Sequence, residues 1–145
     1  MTHIHIRSAV IAAVLALCQA GAHAADTPVA PPNAVVKQLM DKALAGAPDK
    51  ELLMLTVEYP PGGASLPHRH DAQVFVYVLQ GELTMQVAGS HAVTLRQGET
   101  FYENPTDIHT ISANASKTMP AKILVFILKN QNAPVTRIVM PAGLK

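Results

Sequence analysis

Residues 62–81 read GGASLPHRHDAQVFVYVLQG, and the fold turns on them. Val74, Val76 and Val78 alternate with Phe75, Tyr77 and Leu79, the period of a β-strand rather than of a helix. A glycine pair opens the stretch and Gly81 closes it, so turns bound the strand. His68 and His70 stand one residue apart, which in extended chain sends both imidazoles to one face and Arg69 to the other. The valines are expected on the histidines' side, Phe75 and Tyr77 on the opposite side, and Arg69 in a surface ion pair with Asp71.

The same pattern continues in both directions. Residues 52–59 (LLMLTVEY), 83–87, 92–95, 100–103, 109–112, 122–128 (KILVFIL) and 135–140 are short apolar or alternating runs separated by Gly, Asn and Pro turn signals. Many short strands with regular turns predict an all-β sandwich or barrel. Two segments read less simply. In residues 33–45, Val35, Val36, Leu39, Met40, Ala43 and Leu44 suit an amphipathic helix, with an edge strand at residues 37–41 as the competing reading. The tail, residues 134–145, reads as an extra strand that crosses to a partner copy.

The N-terminus is a targeting segment. Residues 1–7 carry Arg7 and no acid, residues 9–18 (AVIAAVLALC) are apolar, and Ala22-His23-Ala24 is a small-x-small cleavage site. About ten apolar residues fall short of the ~20 that span a bilayer, which argues against an anchor. Lipidation at Cys18 is disfavoured by the bulky Leu17 before it. The expected organisation is a signal peptide at 1–24, a Pro-rich linker at 25–33 and one β-barrel domain at 34–145. Export to the periplasm or the medium follows from cleavage after Ala24.

Cleavage removes Cys18, the one cysteine, so the mature chain has neither disulfide nor thiolate ligand. Of 11 Lys+Arg against 10 Asp+Glu, losing Arg7 leaves ten of each. The absence of a basic block or an aromatic-studded basic stripe argues against nucleic acid as a partner. Four histidines remain: His68, His70, His109 and His91, the last beside the Gly89-Ser90 turn.

At these positions the chain resembles the cupin superfamily, small jelly-roll (double-stranded β-helix) barrels that hold one divalent metal. The first cupin motif is Gly, five residues, His-x-His, three or four residues, Glu, six residues, Gly. Gly62, His68, His70 and Gly81 match it. In the second motif Gly98 and His109 keep the required separation, and residues 102–116 (YENPTDIHTISANAS) run close to the pattern. The resemblance spans about residues 52–128 and is closest to small exported single-domain cupins.

The departures are specific. The motif glutamate falls on Val74, which cannot bind a metal; Asn104 and Thr106 replace the loop proline and glycine, and the motif asparagine is displaced to Asn114. Gln73 or Glu103 could fill the missing donor position. Gln73 points away by strand parity unless a bulge intervenes, whereas Glu103 shares a face with Phe101. The alternative for Glu103 is a solvated carboxylate at a strand end.

The resemblance implies His68, His70 and His109 as ligands of one divalent transition metal (Fe, Mn, Ni, Cu or Zn), with Glu103 as acid/base or fourth ligand. It implies dioxygenase-like, lyase or isomerase chemistry on a small organic molecule, and pairing of barrels as a homodimer. The other reading is a non-catalytic metal- or metabolite-binding sensor module.

Overall fold

The computed structural model describes residues 33–139. The leader expected at 1–24 and the linker as far as residue 32 lie outside the described residues. Ten strands follow in order: β1 (Val35–Leu44), β2 (Ala47–Tyr59), β3 (His68–Arg69), β4 (Ala72–Gln80), β5 (Glu82–Val87), β6 (Val93–Arg96), β7 (Thr100–Glu103), β8 (His109–Asn114), β9 (Ala121–Asn130) and β10 (Arg137–Ile138). They form two five-stranded antiparallel sheets, ordered β1-β2-β9-β4-β7 and β10-β3-β8-β5-β6. This is the expected jelly-roll barrel. No helix among the described residues is long and apolar enough to cross a membrane.

Alternation decides which side of each strand is interior. Val74, Val76 and Val78 of β4 and Ile123, Val125 and Ile127 of β9 are buried, while Phe75 and Tyr77 are 45% and 44% exposed. Leu53, Leu55 and Val57 of β2 join them, and Leu83, Met85 and Leu95 close the core from the facing sheet. Each such aliphatic side chain stabilises the fold by roughly 1.5–3 kcal/mol on burial. Residues 122–128 look apolar throughout because β9 lies inside its sheet, between β2 and β4, with its outward residues only half-exposed.

Gly81 makes the tight β4–β5 turn at φ 74°, where a Cβ would sit 2.7 Å from the Pro120 carbonyl oxygen. Only glycine fits both the conformation and the close approach.

The helical reading of residues 33–45 is overturned: the segment is the edge strand β1, paired along β2 with a register shift between Gln38 and Met40. The free edge of a thirteen-residue strand offers a row of backbone partners, and that ladder outweighs a weak helical periodicity. Val35, Val36, Leu39 and Met40 of β1 are all exposed, and Val36 borders the cavity that the histidines line.

The extra strand expected in the tail forms at residues 137–138. Arg137–Ile138 pairs with β3 of the same chain, and the Arg137 Nε donates to Asp71 Oδ2 at 2.6 Å. Residues 137–138 thus lie on the chain's own β3, and residues 140–145 lie outside the described residues.

Candidate functional site

Two cross-strand pairs build the site. His68 on β3 lies opposite His109 on β8, and Val74 on β4 lies opposite Glu103 on β7. Directly opposed residues of an antiparallel pair hold their Cβ atoms about 5 Å apart. The carboxylate is therefore one strand away from Val74, in the same layer of the barrel. Gln73 is exposed, as strand parity requires, and Glu103 is only 3% exposed, which removes the solvated reading. Arg69 pairs with Asp71 at 3.4 Å on the surface, and His91 is exposed.

His68, His70, His109 and Glu103 all line one cavity of about 400 Å³. The imidazole centroids of His68 and His70 are 5.0 Å apart, and those of His68 and His109 are 5.3 Å apart, each pair edge to face. Phe101 stacks on His109 with a centroid separation of 5.6 Å. Glu103 Oε1 stands 3.4 Å from His109 Nδ1, and Oε2 stands 3.9 Å from His70 Nε2.

Backbone carbonyls choose the tautomers. His68 Nδ1 lies 2.7 Å from the Leu66 oxygen and His70 Nδ1 2.5 Å from the Val135 oxygen. A carbonyl only accepts, so each Nδ1 carries the proton and each Nε2 keeps a bare lone pair. Burial lowers the basicity of all three imidazoles, the backbone bonds of His68 and His70 only partly opposing it, and takes His109 down to about 3. Burial first, and then the nearby Asp107 charge, pushes Glu103 up to about 7. The Glu103 contacts at neutral pH are thus made with uncharged rings and are not ion pairs.

These residues fit a divalent transition metal. His109 Nε2 is buried and has no hydrogen-bond partner, and an unsatisfied polar atom in an apolar wall is costly. His68 and His70 are neutral imidazoles with Nε2 lone pairs, held through Nδ1 by carbonyls, the form in which histidine binds metals, while His109 Nδ1 faces Glu103. No three His, Cys, Asp or Glu side chains among the described residues form a finished cation cage. The strand register nevertheless sets His68 directly against His109.

Sequence reasoning passed over a second polar group in the same cavity wall. Tyr59 Oη lies 2.7 Å from Ser112 Oγ and 3.2 Å from Ser65 Oγ. Strand parity on β2 could have exposed it, since Tyr59 continues the inward series Leu53, Leu55, Val57. Ser112 was hidden, because it stands three residues from His109 and parity would send the two apart. A register shift between Gln86 and Val87 leaves Thr110 unpaired and turns both inward. Asn114, expected as a displaced motif residue, is a clamp. Its amide nitrogen lies within 3.2 Å of the Tyr59, Pro60 and Met119 carbonyls, and its Oδ1 accepts from the Ser116 amide.

Comparison with known proteins agrees with this geometry. The family model described as Cupin domain matches residues 55–127. No curated protein matches the chain. Among solved structures, recombinant oxalate oxidase in complex with glycolate superposes with a TM-score of 0.58 at 27% identity, over 75% of this chain and 56% of that one. The chain thus spans little more than half of that enzyme. A DMSP lyase from Ruegeria pomeroyi DSS-3 (TM-score 0.60, 20% identity, 77% of this chain and 54% of that one) shares the fold. So does a cupin domain from Bordetella pertussis Tohama I (TM-score 0.56, 21% identity, 70% and 99%).

Proposed function

The chain belongs to the cupin family, and on that premise we propose that it is an exported metal-dependent enzyme acting on a small organic molecule. His68, His70 and His109 hold the cation, and Glu103 acts as acid/base or fourth ligand. The observation that carries this reading is Glu103, a 3% exposed carboxyl whose two oxygens stand 3.4 Å from His109 Nδ1 and 3.9 Å from His70 Nε2. A carboxyl buried among imidazoles in a largely apolar cavity suits general acid–base work better than passive binding. A bound divalent cation would supply a Lewis-acid pole with open positions for a chelating substrate.

The chain's residues do the rest. The apolar wall, including Val74, Val76, Met85 and Ile127, excludes water. Glu103 takes or returns a proton on the substrate. The β10 segment, tied down through Arg137 and Asp71, places the Val135 carbonyl on His70 and fixes that ring. Likeness to oxalate oxidase favours small oxygen-rich acids as substrates and oxidation as the reaction to try first, with lyase and isomerase chemistry next. Metal analysis of the purified protein, followed by oxygen uptake and product analysis with small hydroxy and keto acids, tests the reading. Bound metal with turnover is expected; tight metal without turnover of any such acid would favour a sensor module instead.

The homodimer has a specific surface in this proposal. Register links Tyr102 to Phe75, Phe75 to Phe126, Phe126 to Met54 and Met54 to Met40, one apolar row crossing all five strands of the outer face. Tyr102, Phe75 and Met40 are 44%, 45% and 37% exposed. Five strands at ~4.8 Å and ten residues at ~3.4 Å give a face on the order of 800 Å², the share each partner contributes to a standard interface. A two-fold axis along β9 sets the aromatic half of one row on the methionine half of the other, a favourable sulfur–aromatic pairing. Sedimentation of the wild type as two copies, and of Phe75→Lys as one, is expected. A wild type that remains a monomer at ~100 μM would overturn the dimer.

A further inference from the structure

The metal pole leaves part of the cavity's polar chemistry unused. Tyr59 and Ser112 are 3% and 5% exposed, and with Ser65 they line the same cavity as the histidines. Asn114 holds the end of β2 through the Tyr59 and Pro60 carbonyls, and the Ser65 amide donates to the Ser112 carbonyl at 2.9 Å. Both ends of the hydroxyl cluster are therefore anchored by backbone.

Counting protons shows what this cluster offers. Each hydroxyl carries one donor. Two contacts join the three oxygens, so two of the three protons are committed, and no other hydrogen bond involves these oxygens among the described residues. One O–H proton therefore remains without an acceptor among the described residues, on a side chain that lines the cavity. No Lys or Arg lines that cavity among the described residues. A second carboxylate would thus be desolvated there against a single neutral donor, which is unfavourable, whereas an uncharged oxygen needs only one.

We propose that Tyr59, Ser65 and Ser112 form a subsite for an uncharged carbonyl oxygen, and that the substrate is a short acid carrying a chelating carboxylate at one end and a ketone or aldehyde further along. The subsite rests on the reading of the histidines as a metal pole, and the test separates the two. Cobalt(II) is first titrated into the full chain. The cobalt-loaded protein is then titrated calorimetrically with three series matched in chain length: unsubstituted alkanoates, keto acids from 4-oxopentanoate to 5-oxohexanoate, whose ketones are too far from the carboxylate to chelate the same cobalt, and dicarboxylates.

At one chain length the keto acid binds about tenfold more tightly than both of its analogues, the value of one neutral hydrogen bond. In the triple variant Tyr59→Phe, Ser65→Ala, Ser112→Ala that preference falls to within about twofold while cobalt affinity is unchanged. Removing all three hydroxyls together leaves no buried partner unsatisfied, and the wild-type series decides the matter by itself should the variant not fold. Cobalt uptake with no ketone preference at any length, a winning dicarboxylate, or a preference that survives the triple variant overturns the subsite alone. Failure to take up cobalt overturns the metal pole and the subsite together.

Discussion

His70→Ala is expected to yield a folded barrel that no longer retains a divalent metal. Structural metal sites with four ligands are worth about 10–16 kcal/mol, or about 3 kcal/mol for each donor. Losing one imidazole should therefore weaken zinc or cobalt binding by a hundredfold or more. His70 sits at the cavity wall after β3, and its hydrogen bond is to the Val135 carbonyl, near the barrel mouth. The β2, β4 and β9 core does not depend on it, so the unfolding transition should stay cooperative. Gln73→Ala is the control: its side chain is exposed, and metal affinity should not change. Isothermal titration of the chelator-treated proteins measures both. A His70→Ala protein that binds metal as tightly as the wild type would remove His70 from the site.

The second large effect belongs to Glu103→Gln. In chelator-treated protein, burial raises the Glu103 carboxyl from 4.5 to about 7, so the folded state prefers the protonated form. The unfolded chain then binds fewer protons in this interval, and stability falls as pH rises from about 4.5 to about 7. A shift of that size corresponds to about 3 kcal/mol. Glutamine has no proton to lose, so the metal-free variant should be more stable than the wild type by about that amount at pH 8 and similar to it at pH 4. The imidazoles act in the opposite direction. His109 is depressed from 6.5 to about 3, so its contribution is present above 6.5 and is lost as pH falls through that range, equally in both proteins. Urea midpoints at pH 4 and pH 8 test the difference; coincident curves at pH 8 would mean that Glu103 is solvated. With metal bound, the same substitution should lower turnover by about 10²–10⁴-fold, the usual worth of a general acid or base.

These two residues show how unevenly the site was written in the chain. His68 and His70 were legible because two-residue spacing on a strand is a local rule, and the valine alternation on β4 predicted its buried face for the same reason. Glu103 was legible only as a parity argument, with a solvated strand end standing against it. Its burial depends on which strand lies beside β4, a non-local fact supplied by the Val74–Glu103 pairing. Ser112 was not legible, because an unpaired residue at Thr110 breaks the parity that connects it to His109. Residues 33–45 misled in the opposite way: their apolar spacing matched a helix, yet the ladder along β2 made them a strand with an exposed apolar side.

By itself the sequence determined the strands that follow β1, the turns that bound them, the all-β class and the three histidines that face one cavity. Those features follow from period-two alternation and from glycine and proline at turns, which act over a few residues. Only the tertiary structure decided that Glu103 is buried directly across from Val74, that Tyr59, Ser65 and Ser112 share the histidines' cavity, and that residues 137–138 pair with β3 beside His68. Those features depend on the register between strands far apart in the chain, which the burial of a common core selects and no local pattern encodes.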